Sequence, residues 1–402
     1  MSTPSSGSGT PTTRLHGLDA VRAIALLLVV TMHTTLSFIP GGQGWFVGDD
    51  DRSLTMAIAA YTMRMCQMSL FFLVAGFFTR DALRRLGGQA FVKDRLRRIA
   101  LPLAIAWPIT MVMLALILTW IATHAGSDGQ PAPSRPRPTF RPDDFPLAHL
   151  WFLWVLLQFY AAMLVLLVVF KRWDPHRRVA AVLDRVIRFL VTTRLTLWLA
   201  LPLALALFNF DGWKMAQGMP TPHGSLILSP TAWLAYGSPF ALGWYIHRQP
   251  VLLEVWQKRW PLNLAVAVVA TLFCLAMLRP GATPSLADND GLRFAYALVF
   301  VIGAWSWTFS VIGMGLRFLS GFSPVRRYAA DASYWVYLAH LPLIILLQFL
   351  VSRLPWPWFV KFPLILLLGG VVLFGSYQLL VRYTFIGAIL GGRRRSRPSS
   401  SP

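Results

Sequence analysis

The chain has 402 residues, of which 56% are hydrophobic and 13% charged, where an ordinary soluble domain carries about 25% charged residues. That composition excludes a soluble globular protein and fits a polytopic membrane protein. The net charge of +21 would suit a nucleic-acid binder. However, the basic residues sit in short segments between apolar spans, with no soluble domain left to form a groove, so no nucleic-acid partner is expected.

Residues 1–16, which open with MSTPSSGSGTPTT, read as a disordered polar tail. The apolar stretch 18–40 reads as a retained first span rather than a cleaved signal. Arg14 comes late, the apolar run is too long, and no small-residue cleavage site comes after it. Ten apolar spans succeed one another at roughly 18–40, 54–79, 99–123, 147–170, 194–210, 229–247, 261–279, 292–315, 329–351 and 362–390. Most are near the ~20 residues that a membrane-crossing helix needs, and the fifth is short. Lipid cannot satisfy backbone groups in an open sheet, so the spans must be helices. Lys and Arg concentrate in 80–98, 171–194, 247–260, 316–327 and the two termini. Acidic or proline-rich loops, GDDDR at 48–52, 128–146 and ADNDG at 287–291, fall between them. This alternation predicts an all-α integral membrane protein, a bundle of about ten transmembrane helices with both termini cytoplasmic. Residues 17–390 form one membrane domain and 391–402 a basic disordered tail. The loop at 124–146 reads as a stiff cover, with a lid over an outward-facing site as the alternative.

Costly polar residues interrupt this background. In the first span, Arg22 and His33 are eleven residues apart, three turns plus about 20°, so they share one stripe roughly 16 Å long. Asp19 and Ser37 continue it. Charges and imidazoles inside a membrane helix are expensive, and the default reading is a functional site. Neutral imidazole is the natural proton acceptor near pH 7. The alternatives are a satisfied interhelical His33 and an Arg22 that snorkels to the headgroups. Arg64 lies about ten residues into the second span, with Gln67 and Ser69 after it, and should face a protein interior or a wet cavity. In the ninth span, Ser333, Tyr337 and His340 stand at i, i+4 and i+7 and form a second polar stripe. Trp151 begins the fourth span as either an interface anchor or an aromatic surface for a sugar ring. The run KDRLRRIALP at 93–102 carries Arg95 and Arg98, either as topology signals or as cations for the phosphates of a cytosolic ligand. Cys66 and Cys274 give no disulfide framework and no metal-ligand spacing. There is no Walker motif, GxSxG, HExxH or helix-opening GxGxxG.

These motifs together resemble the membrane acyltransferase 3 family. The matching pieces are LDAVRA with Arg22, ten residues and His33; the arginine-bearing second span running into SLFFLVAGFF; RLRRIALP; HLWFLW; and SYWVYLAHLPL. The resemblance covers about 18–382. It implies a multi-pass protein of the bacterial inner membrane that moves an acyl group, succinyl or acetyl, from cytoplasmic acyl-CoA to a hydroxyl of a periplasmic glycan, an osmoregulated glucan in one branch. It makes His33 the essential histidine and Arg22 its partner. Asp19, Arg64, Gln67, Trp151, Ser333, Tyr337 and His340 would line the cavity, and Arg95 and Arg98 would hold the CoA phosphates. No bound cofactor or metal is expected, since acyl-CoA is a substrate. No carboxylate stands out to orient His33. The alternative is a transporter of a glycan or small anion that uses the same polar stripes without chemistry.

Overall fold

The structure is a computed structural model that describes residues 16–41, 44–124, 140–176, 178–193, 198–278 and 289–391. Apart from His16 and Gly391, the two expected tails lie outside the described residues, as does most of the expected proline-rich cover. Among the described residues every regular element is helical. The long helices are α1 (His16–Thr35), α2 (Leu54–Leu86), α4 (Leu101–His124), α5 (Trp151–Trp173), α9 (Leu252–Met277), α10 (Asp290–Phe318), α11 (Pro324–Ser352) and α12 (Trp358–Ser376). Shorter ones are α3 (Gly88–Arg95), α6 (Arg178–Thr192), α7 (Ala200–Phe208), α8 (Pro230–Ile246) and α13 (Phe385–Gly391).

Among the described residues, eight helical segments are long and apolar enough to cross a bilayer, two fewer than the ten expected. In the described part of the fifth expected span stands α7, whose 9 residues reach about 14 Å against a hydrocarbon core of ~30 Å. The sixth is α8, with 17 residues. The segment 171–194, expected as a basic loop, holds α6. Its Val179, Val182, Val186 and Phe189 form one exposed apolar stripe. Its other face is tied to the end of α8, where Arg248 pairs with Asp184 and Arg188 Nε donates to Gln249 Oε1 at 2.8 Å. Such a helix suits the plane of a membrane interface better than a crossing.

Close approach of backbones organises the rest. Helices α2 and α8 touch at Gly76 and Gly243, where a methyl group would collide with the carbonyls of Phe240 and Leu73 respectively. Small residues at crossings are how membrane helices gain contact when lipid offers no hydrophobic drive between them. A large aromatic core, with Phe72, Tyr236 and Phe300 fully buried, joins α2, α8 and α10. A second core, with Leu26, Phe38, Ile344 and Ile365, joins α1, α11 and α12. Helices α3 and α4 run on through a π-helical stretch, Leu96–Ala100, whose Arg98 carbonyl accepts from Tyr334 Oη at 2.8 Å.

Candidate active site

Helices α1 and α11 lie side by side, and their two polar stripes face each other as one seam. At the end near the basic segments, Arg22 Nη2 donates to the Ala330 carbonyl at 3.0 Å, and Ser333 Oγ donates to the same oxygen at 2.8 Å. Asp19 stands 3.7 Å from Arg22. Three turns further along, His33 meets His340, with Nδ1 and Nε2 3.3 Å apart and ring centroids 5.1 Å apart. Tyr337 belongs to the same seam, and its hydroxyl donates to the His149 carbonyl at 2.5 Å.

The hydrogen bonds fix the tautomers. His340 Nδ1 lies 2.8 Å from the Tyr337 carbonyl, which can only accept, so this nitrogen carries the proton. A neutral His340 then has a bare Nε2. His33 Nδ1 lies 2.9 Å from the Val29 carbonyl and also faces that bare nitrogen, so His33 is protonated at Nδ1. By elimination the Nε2 lone pair of His33 is open, with no partner among the described residues. The Val29 carbonyl and the His340 imidazole therefore aim this ring, and the Tyr337 carbonyl holds His340 in turn, where the sequence offered no carboxylate.

The end of α1 is held by a further device. Leu36–Phe38 tightens into a 3-10 turn, leaving carbonyls of the last α turn without helical partners. Gln348 Nε2 donates to two of them, His33 at 2.9 Å and Thr34 at 3.2 Å. Gln348 Oε1 in turn accepts from Trp45 Nε1 at 2.9 Å. The Trp45 ring lies 5.7 Å from the His33 ring.

The expected site residues divide into two groups. Arg22, His33, Ser333, Tyr337 and His340 join the seam, with Asp19 at its end. Arg64 stands on α2 with its stem beside Gly218, where an added methyl group would lie 3.2 Å from the Arg64 Cβ. Gln67, one turn on from Arg64, has its amide oxygen buried without a donor among the described residues. Trp151 is not brought to the seam. It is 6% exposed and packs on Tyr236 and Phe72 in the large core, with ring centroids at 5.0 and 6.3 Å, so it offers no sugar-binding face. Arg95 and Arg98 lie away from the seam, in the basic run, and share Asp94, at 2.7 and 2.9 Å. Lys93 and Arg97, from the same run, instead border an apolar groove of about 850 Å³ with Val92, Leu96, Leu101 and Leu164.

Three further residues join the seam, and two of them, His149 and Trp45, carry little or no local signal in the sequence. His149 stands just before α5 and looks like a span-end histidine, yet its ring lies 4.9 Å from that of His340. Trp45 sits in a connecting segment. Gln348 carries a readable signal, an uncharged polar side chain deep in an apolar span that is 1% exposed.

Comparison with known proteins gives the chemistry a frame. Residues 15–380 match the acyltransferase domain family, Acyl_transf_3. Two similar curated proteins, both named glucans biosynthesis protein C, come from Escherichia coli O6:K15:H31 and Escherichia coli K12. Each is 23% identical, over 355 and 350 residues respectively, covering 83% of this chain and 83% of the relative. No solved structure matches.

Proposed function

This chain belongs to the acyltransferase 3 family and is a multi-pass membrane O-acyltransferase, and from that premise we propose that it moves an acyl group, succinyl or acetyl, from cytoplasmic acyl-CoA to a hydroxyl of a periplasmic glucan in the bacterial inner membrane. Family membership removes the transporter alternative. The names of the curated relatives favour a glucan acceptor. The observation that carries the chemistry is the open Nε2 of His33, fixed as a lone pair by the Val29 carbonyl and His340.

In this reading the acceptor hydroxyl gives its proton to His33 Nε2 as its oxygen bonds to the thioester carbonyl carbon. Negative charge then gathers on the former carbonyl oxygen, and Arg64 of α2 is the cation assigned to stabilise it. Collapse breaks the carbon–sulfur bond, and His33 returns the proton to the departing CoA thiolate. Arg22, three turns towards the basic end, steers the donor into the seam rather than touching the reacting carbon. Arg95 and Arg98 meet the donor's phosphates; Arg98 uses Nε towards Asp94 and keeps its terminal nitrogens for that role. Among the described residues, no group of three His, Cys, Asp or Glu is arranged to hold a metal.

His33→Ala is expected to abolish acyl transfer while the protein still inserts and folds in the membrane. The measurement is mass spectrometry of periplasmic glycans from cells carrying the wild type or the variant. Normal glycan acylation by His33→Ala would sink the mechanism.

A further inference from the structure

We propose that Trp45 is the acceptor platform of this enzyme, an indole face that carries a pyranose ring beside His33, and that Gln348 positions it. The inference rests on the reading of the acceptor as a glycan. It starts from what surrounds the open nitrogen. Two rings meet His33. His340 covers the Nδ1 side and is fully buried. Trp45 is half-buried, with its ring centroid 5.7 Å from the imidazole and tilted by 34°.

Trp45 is held rather than loose. Its only polar side-chain atom, Nε1, is spent on Gln348, and the indole packs in part against two apolar clusters, so what it has left to offer is the half-buried remainder of its ring surface. Phe46 backs it edge-on at 5.1 Å. Gln348 is anchored in turn by the carbonyls of His33 and Thr34, so one amide ties the platform to the backbone of the proton-accepting residue. The distance between the two is thereby set by three hydrogen bonds. An aromatic face is electron-rich and meets the polarised C–H bonds on the face of a sugar ring. A sugar seated there projects its hydroxyls outward, towards the imidazole alongside. Placement agrees with the charge pattern. Trp45 lies between α1 and α2, next to the acidic segment 48–52, on the side opposite the basic segments and therefore opposite the donor.

The test uses the full chain in nanodiscs, with succinyl-CoA or acetyl-CoA as donor and a linear glucan oligosaccharide as acceptor, measuring the two KM values separately. Trp45→Ala is expected to raise the glucan KM at least about tenfold and leave the acyl-CoA KM within about twofold. Trp45→Phe, which keeps a face but loses Nε1, is expected to fall between Trp45→Ala and wild type. Gln348→Leu is expected to raise the glucan KM while the donor KM stays put, a split that general loss of structure does not produce. Binding of the same glucan to His33→Ala, with and without Trp45→Ala, reads the platform independently of turnover; loss of glucan binding in the double variant supports it. An unchanged glucan KM in Trp45→Ala, or equal shifts in both KM values, overturns the platform. Transfer retained by His33→Ala overturns the His33 chemistry instead, and a wild type that neither binds nor acylates the glucan overturns both.

Discussion

An imidazole inside a membrane has two nitrogens to satisfy, and leaving either buried and unpaired costs about 1–3 kcal/mol. The seam meets part of that demand with backbone carbonyls: it leaves His33 Nε2 open, and His149, bonded through Nε2 to the Leu338 carbonyl, keeps a buried Nδ1 with no partner among the described residues. Tyr337 fixes the proton of His340, and Val29 together with His340 fixes the proton of His33. His340→Ala removes the side-chain part of this arrangement and leaves His33 with Val29 alone. We expect kcat to fall roughly 100-fold, the scale of a misplaced catalytic group, with donor KM little changed; steady-state kinetics on purified protein would check it, and a kcat within about threefold of wild type would show that His340 does not aim the ring. Arg22, His33 and His340 were legible because a helical stripe of polar residues stands out against lipid-facing side chains. Which group orients His33 was not legible, since every peptide unit carries a carbonyl and only the fold selects Val29 and Tyr337. His149 and Trp45 reach the seam from two other places in the chain, and no local spacing links them to His33; Gln348 lies on α11 itself, eight residues beyond His340.

At the scale of the helix, two features carry the arrangement. Parallel alignment of α1 and α11 brings their stripes into register, joining Arg22 with Ala330, His33 with His340, and the last carbonyls of α1 with Gln348. The crossing of α2 and α8 at Gly76 and Gly243 sets the position of α2, and with it Arg64. Gly243→Ala forces its methyl into the Leu73 carbonyl, backbone that cannot rotate away. We expect a loss of about 1–3 kcal/mol from overpacking, read as a lowered thermal midpoint in detergent; an unchanged midpoint would mean that the helices can separate freely. Apolar segments announced these spans, but α7 and α6 were misread for related reasons. A hydropathy run does not say whether a short apolar helix crosses or stops halfway. The Lys and Arg of 171–194 masked the stripe of Val179, Val182, Val186 and Phe189 that makes α6 amphipathic.

Across the whole molecule, the first loop is bound to the last long helix. Lys361, in α12 and 3% exposed, pairs with Asp49, 2% exposed, through both carboxylate oxygens at 3.0 Å. Asp51 accepts from the Trp358 amide at 2.6 Å, at the start of the same helix. The sequence placed the acidic run in a loop and Lys361 just outside the last span; their burial as a pair depends on α12 packing beside α1. Breaking a buried pair costs more than replacing it. Lys361→Met alone is expected to destabilise by about 3–5 kcal/mol, and the double variant Asp49→Leu/Lys361→Met to recover most of that. Chemical denaturation in detergent micelles distinguishes the two; equal losses in both variants would deny that Asp49 is left stranded.

That clasp also imposes an order on the making of the protein. Asp49 and Lys361 are 312 residues apart, so at about 5–20 residues per second the ribosome takes roughly 15–60 s to supply the partner. Throughout that interval the segment bearing Trp45 lacks Lys361, and for nearly all of it the Gln348 amide that aligns it with His33. A chain stalled or cleaved before α12 would therefore leave Asp49 without its base and the segment that bears Trp45 without its clasp. Completion of the last long helix is then also the moment at which the enzyme becomes competent.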